Sequence, residues 1–228
     1  MKILVTGANG YLGQGIVKAI LDNGHDVVAA DFAVDLVDDR AEKVAGNMFE
    51  VEKPYEYFGK PDVLLHLAWR DGFVHYSNAH IDDLPKHFAF IRQMAEEGVK
   101  QIAVMGSMHE IGFFEGSINE NTPCHPTTPY GIGKNALRDL TQMVCKQKNI
   151  VFQWMRGYYI VGNSKYGSSI FSKSQLRLKK EKQNFHLLLA RTSMILLTIR
   201  ISVIRLQQLL ASRRSRVLSI FVLEDLRS

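Results

Sequence analysis

Lys2-Ile3-Leu4-Val5-Thr6 is a short apolar run that ends at Gly7-Ala8-Asn9-Gly10-Tyr11-Leu12-Gly13 and resumes with apolar residues at helical spacing, Ile16, Val17, Ile20 and Leu21. A strand that turns through glycines straight into a helix constrains the fold more than any other feature of the chain. It begins a strand–helix–strand unit, which places the next strand parallel to the first. The helix is expected over Gln14–Asn23, with Asn23-Gly24 as its stop, and His25–Asp31 as the second strand. Asp62–Ala68, Gln101–Ser107 and Val151–Met155 read as further strands, a helix near 80–97 ends at Gly98, and a long helix covers Tyr130–Lys148. None of these strands alternates apolar with polar residues, so both of their faces are covered. The predicted class is α/β, a doubly wound parallel sheet with helices on both sides.

Three local patterns carry chemistry. The spacing G-x-x-G-x-x-G at Gly7, Gly10 and Gly13 lies where glycines let the backbone approach a phosphate, at a helix N-terminus with free N–H groups. Asp31 closes the second strand 24 residues after Gly7, where a carboxylate can accept hydrogen bonds from two ribose hydroxyls and would repel a 2′-phosphate. That favours NAD over NADP; the plainer alternative is a solvated strand-end Asp. Tyr130 and Lys134, four apart at a helix start, share one face. An ammonium near a phenol lowers the phenol pKa and prepares it to trade a proton. Ser107 sits at the carboxyl end of a strand, the edge where open parallel sheets bind ligands. Taken singly, the Tyr/Lys spacing and the strand-end Ser are common on helix surfaces and in turns.

In this order, glycine turn, acidic strand end, strand-end Ser and Tyr-x-x-x-Lys, the chain resembles the extended short-chain dehydrogenase/reductase superfamily, and within it the NAD-dependent epimerase/dehydratase family. Thr6, His66-Leu67-Ala68, Glu120-Asn121-Thr122-Pro123 and Pro126-Thr127-Thr128-Pro129 also match, and the resemblance covers about residues 1–170. It implies a Rossmann-type fold and an NAD-dependent epimerase or reductase acting on a nucleotide-sugar. The cofactor would be held by Gly7, Asn9, Gly10, Tyr11, Leu12 and Gly13 at the pyrophosphate, Asp31 at the adenosine ribose, and Leu67 and Ala68 after the middle strand. Ser107 and Tyr130 would bind the reacting oxygen, with Tyr130 as general acid/base. Lys134 would hold the nicotinamide ribose and depress the pKa of Tyr130. Family members commonly dimerise through helices, one of which carries this Tyr and Lys, so residues 130–148 would supply a homodimer face. A cytoplasmic location is expected.

Departures from the family pattern matter. Dehydratases carry an acidic pair directly after the strand-end hydroxyl, where this chain has Met108 and His109, with Glu110 one residue displaced. A dehydratase is therefore disfavoured. Arg156 to Gly162 resembles the family's segment near the sugar-phosphate, but Tyr159 stands where an asparagine is usual. His75, His80 and His87 have no carboxylate or Cys pattern to complete a metal site and are expected to be surface or capping residues. Trp69 either borders the pocket or packs in the core. Cys124 and Cys145 read as free thiols.

The net charge of +5 has to be divided before it is interpreted. Residues 175–228 carry 11 Lys/Arg against 3 Asp/Glu, whereas the first 174 carry 17 against 20. No Gly follows Gly167, no Pro follows Pro129, and no Tyr follows Tyr166. Residues 1–170 are thus expected to form the dinucleotide-binding domain, and 171–228 an atypical basic tail in place of most of a substrate-binding domain. A loss of reading frame near residues 173–176 would account for the shift. In the tail Arg191, Arg200, Arg205 and Arg213 interrupt the apolar runs without forming one face, which argues against nucleic-acid and membrane partners. No apolar run reaches the roughly 18 residues a bilayer span needs, and no leader peptide is expected. A catalytically impaired dinucleotide-binding protein is the alternative reading.

Overall fold

The computed structural model describes residues 1–158 and the backbone of 216–220. The strands are β1 (Lys2–Thr6), β2 (Asp26–Asp31), β3 (Glu42–Ala45), β4 (Val63–His66), β5 (Gln101–Ser107), β6 (Val151–Gly157) and β7 (Arg216–Ile220). They form one sheet in the order β3-β2-β1-β4-β5-β6-β7, every pairing parallel. The doubly wound α/β expectation is met. Chain order reverses between β1 and β4, and that reversal opens a crevice at their carboxyl ends.

Successive strand residues point to opposite faces, so each strand feeds two cores. Leu4, Val28, Leu64 and Ile102 join one cluster, beneath a helical layer that contributes Ile91, Met94, Leu137 and Val144. Ile3, Val5, Val27, Leu65 and Ala103 join the other, with Val17 and Ile20 from the first helix. This double burial is why the strands read as continuous apolar runs. Each such fully buried aliphatic side chain contributes about 1.5–3 kcal/mol.

The helices are α1 (Tyr11–Asp22), α2 (Pro54–Tyr57), α3 (Ala79–Asp82), α4 (Leu84–Glu97) and α5 (Pro129–Lys148). Helix α1 starts three residues earlier than its apolar periodicity indicates, because the glycine turn winds directly into it. The helix expected near 80–97 is two, α3 and α4, separated at Asp83, with Pro85 in the first turn of α4 and Gly98 as its left-handed end (φ 127°). Helix α5 is capped by Thr128, whose Oγ1 accepts from the Gly131 N–H at 3.2 Å, and is closed by Asn149 at φ 54°. Its buried side, Lys134, Leu137, Thr141 and Val144, follows the three-and-four spacing of one helical face.

Both cysteines are free thiols, and burial pushes Cys145 up to about 12. Among the described residues no helix is long and apolar enough to cross a membrane. The segment expected to stand apart as a tail lies outside the described residues except for β7, which extends the sheet beside β6. The point proposed for a lost frame, residues 173–176, and Tyr159 also lie outside them.

Candidate active site

A cleft of about 1190 Å³ runs along the carboxyl ends of β1, β2, β4 and β5. One end is the glycine turn. Gly7 holds φ 70°, and a side chain there would meet the backbone of Ala68, its nitrogen at 2.6 Å. A side chain at Gly13 would run into the carbonyl oxygens of Gly7 and Ala8. The turn therefore closes only around glycines, and α1 begins on Gly10 without a side-chain cap. Gly7, Gly10, Tyr11, Leu12, Gly13, Asp31, Leu67 and Ala68 all line the cleft. Asn9 does not. Its backbone N–H donates to Asp31 Oδ2 (3.0 Å), its side-chain amide donates to Asp35 (3.2 Å), and its Oδ1 accepts from the Leu36 N–H (2.8 Å). Asn9 thus braces the loop after β2 and orients Asp31.

Ser107, Tyr130 and Lys134 meet at the other end. Ser107 ends β5; its Oγ accepts from the His109 N–H (3.3 Å), and its hydroxyl is near enough to the Tyr130 phenol to oppose the effect of burial there. Tyr130 lies in the first turn of α5, and its backbone N–H donates to the His75 carbonyl at 3.1 Å. Lys134 is 2% exposed; its Nζ donates to the Met105 carbonyl at 2.8 Å and lies 4.1 Å from the centre of the Trp69 ring. Burial lowers Lys134 to about 7. The expectation that Lys134 depresses the phenol is corrected here. Burial pushes Tyr130 above its ordinary value, and the group that lowers it is Ser107. Lys134 does not figure among the groups acting on the phenol; its Nζ donates to the Met105 carbonyl instead.

Histidines surround this end, and the reading of His80 and His87 as surface or capping residues is corrected, whereas His75 is partly exposed. His80 and His87 are buried, 1% and 3% exposed. His75 stacks on Tyr130 (5.4 Å, 14°) and packs against His109 (4.0 Å). Thr6 Oγ1 lies 2.8 Å from His66 Nδ1, and His66 Nε2 lies 2.8 Å from His87 Nδ1, one shared proton per contact. His87 in turn stacks under Trp69 at 4.6 Å, and the Trp69 Nε1–H donates to His80 Nδ1 (2.9 Å). Among the described residues no group of three or more His, Cys, Asp or Glu is gathered around one point.

Burial holds His66 well below its ordinary value and His87 at about 3. The unfolded chain protonates both below about pH 6.5, whereas the folded chain does not, so stability falls as pH falls. The unfolding free energy is expected to drop by about 1.4 kcal/mol per pH unit per histidine below that point. For His87→Asn this slope should be shallower by one histidine's share. Urea midpoints at pH 7 and pH 5 for the two proteins check it.

Glu110 and Arg156 lie behind Ser107, each fully buried. Glu110 Oε1 accepts from the Ser107 N–H (2.5 Å), and its Oε2 accepts from Trp154 Nε1–H (2.8 Å) and Arg156 Nε–H (3.2 Å). The carboxylate displaced by one residue in the sequence is therefore turned into the core and fixes the position of Ser107. Trp69, His87, Glu110 and Arg156 escape a reading of spacing because each meets its partner from a different element.

Comparison with known proteins follows the same outline. The model of the "NAD dependent epimerase/dehydratase family" matches residues 3–191. The dTDP-6-deoxy-L-talose 4-dehydrogenase (NAD(+)) of Aggregatibacter actinomycetemcomitans is 40% identical over 191 residues, 81% of this chain and 70% of that protein. The UDP-glucose 4-epimerase of Lactobacillus helveticus is 26% identical over 184 residues, 74% of this chain and 54% of that protein. Among solved structures, UDP-glucose 4-epimerase of Thermotoga maritima with UDP-glucose superimposes with a TM-score of 0.68 at 19% identity, over 79% of this chain and 63% of that one. A UDP-glucuronic acid 4-epimerase of Bacillus cereus in complex with NAD gives 0.60 at 20% identity, over 71% and 58%. At these identities the structures speak for the fold. The chain spans between about half and two thirds of most of these proteins.

Proposed function

This chain belongs to the NAD-dependent epimerase/dehydratase family, and from that premise we propose that it is an NAD-dependent oxidoreductase acting at C4 of a nucleotide-sugar through Ser107, Tyr130 and Lys134. The observation that carries the reading is that Ser107, Tyr130 and Lys134 line one cleft together with a turn that closes only around glycines. Residues 1–170 would carry it.

The residues present fit a dinucleotide. The pyrophosphate would lie against Gly7, Gly10 and Gly13, where no Cβ intrudes and α1 begins without a side-chain cap. Asp31, oriented by the Asn9 N–H, would accept from the adenosine ribose hydroxyls. NAD supplies hydride exchange at its nicotinamide. The chain's own residues do the rest. Ser107 and Tyr130 hold the substrate oxygen between two hydroxyls. The Tyr130 phenolate takes the proton when the alcohol is oxidised, and the phenol so formed returns it when the ketone is reduced. Lys134 would hold the nicotinamide ribose. Turned into the core, Glu110 offers its carboxylate to the Ser107 backbone and not to the cleft, where eliminating water would need it.

The relative 40% identical to this chain is named for oxidation of a 6-deoxy sugar nucleotide with NAD(+). The apolar residues Trp69, Phe73 and Met108 on the cleft wall suit a sugar whose C6 is a methyl group. Purified protein is therefore expected to reduce NAD(+) with dTDP-6-deoxy-hexoses and to give a 4-keto product. An epimerase would instead interconvert stereoisomers with no net reduced cofactor. NAD bound without turnover across a panel of 4-hydroxy and 4-keto nucleotide-sugars would replace this reading with that of a non-catalytic dinucleotide-binding protein. Asp31→Ala is expected to weaken NAD binding by roughly tenfold to a hundredfold and to narrow the preference over NADP, as calorimetric titration of each dinucleotide would show.

A further inference from the structure

Lys134 is a buried cation without a counter-ion. Among the described residues no carboxylate lies within ion-pair distance of its Nζ, and one backbone carbonyl, that of Met105, accepts only one of its three N–H donors. The Trp69 ring is the other group against the ammonium, its centre 4.1 Å from Nζ. That is well inside the range of about 6 Å over which an aromatic face attracts a cation, and the attraction is strongest for tryptophan in a desolvated site. The indole is held in place by its neighbours, its Nε1–H on His80 and its ring stacked on His87. We propose that Trp69 is a positioning residue for Lys134, its indole face doing the work of a counter-ion by keeping the ammonium protonated and parked beside the Met105 carbonyl.

The groups around the ammonium leave that task to the indole. His66 and His87 are kept neutral by burial, and the charge of Lys134 itself opposes their protonation. Asp83 and Lys86 act on His87 from α4 with opposite signs. Tyr130 is pushed toward its neutral phenol, and His75, His80 and His109 pack on that phenol's ring. Glu110 favours the ammonium from a distance, but its oxygens are engaged by Ser107, Trp154 and Arg156. A lysine held by one carbonyl and a π face keeps its charge near neutral pH the better the more electron-rich that face is. Trp69 thus bears on the role given to Lys134 under the proposed function, although the charge state itself does not depend on that role.

The test titrates Lys134 directly in the whole chain. Isotope-labelled lysine side chains are followed by NMR against pH, with Lys134→Met assigning the signal. Protein made with fluorinated tryptophan keeps the ring's shape and weakens its face. The Lys134 midpoint is then expected to move about one pH unit or more to the acid side. Trp69→Phe should move it the same way. In Trp69→Phe, fluorination alters only Trp154 and should leave the midpoint where it is. An unchanged midpoint on fluorinating the native chain overturns the proposal, as does a fluorination shift that persists in Trp69→Phe, which would assign the effect to Trp154. No substrate or dinucleotide is needed, so absence of turnover on nucleotide-sugars would sink the proposed activity and leave this result standing.

Discussion

Tyr130→Phe is expected to lower kcat by about 10²–10⁴-fold on whichever nucleotide-sugar the protein turns over, while the dinucleotide is still bound. The substitution removes one oxygen. The ring keeps its stack on His75 and its place in the first turn of α5, capped by Thr128. What is lost is the atom that would exchange a proton with the substrate, together with the influence of the neighbouring Ser107 hydroxyl on it. Burial raises the phenol, so at neutral pH the group stands protonated, ready to donate toward a ketone. The oxidative direction needs the phenolate and should therefore gain from rising pH more than the reductive direction does. Steady-state rates in both directions across pH, beside calorimetric binding of NAD, separate these effects. A variant that loses dinucleotide binding along with turnover would point to a structural role for the tyrosine and against proton transfer.

The second large effect concerns stability. Glu110→Ala is expected to cost about 3–5 kcal/mol, because it leaves the Arg156 guanidinium buried without its carboxylate. Glu110 Oε2 lies 3.2 Å from Arg156 Nε, both side chains at 1% exposure or less. The same carboxylate accepts from Trp154 and from the Ser107 N–H, so the alanine also abandons two further donors. Replacing both partners with apolar residues, Glu110→Leu with Arg156→Met, should recover most of the loss, since it removes the uncompensated charge together with the pair. Urea unfolding of the single and double variants measures both. A loss below about 1 kcal/mol, the range of exposed pairs, would show that the pair does not act as a buried one. The catalytic readout should part from the stability readout. The double variant, though stable, lacks the acceptor that holds the Ser107 backbone and should stay slow. The pH dependence carries the opposite sign to that of the histidines. Burial raises Glu110 above its ordinary value in spite of Arg156, so the folded chain holds that proton more firmly than the unfolded chain does. This group favours the fold at acid pH, and its contribution declines as pH rises past the ordinary carboxyl range.

What could be read from the chain follows from how local each signal is. Strands β1 and β5 were legible to the residue because both faces are buried and the apolar run is unbroken. The edge strand β3, Glu-Lys-Val-Ala, buries none of its four residues, so it looks like connecting chain. Strand β7 lies in a segment whose composition points away from the rest, and only its pairing with β6 reveals it. Helix α1 was placed late because its first turn is built from glycine-rich residues that a propensity reading assigns to a loop. The site divides the same way. The glycine turn, Asp31, Ser107, Tyr130 and Lys134 are set by spacing along the chain, and the fold gathers them on one cleft. The residues that decide their charge states come from elsewhere. His87 reaches His66 across 21 residues, and Arg156 reaches Glu110 across 46. The direction of the Tyr130 shift failed for that reason: a Tyr and a Lys on one helical face were taken to interact, whereas the lysine found a carbonyl and an indole and the phenol was left to burial.

The bond from the Tyr130 N–H to the His75 carbonyl ties α5 to the segment between β4 and α3, and His80 fastens that segment a second time through Val74. For anyone recombining such enzymes, these two ties define the unit of exchange. A substrate-facing loop transplanted from a relative would arrive without the helix start it is stitched to and would drag the phenol out of line. Residues 69–80 and the first turn of α5 therefore have to be moved together, as one cassette, if the sugar preference is to be changed without losing the chemistry.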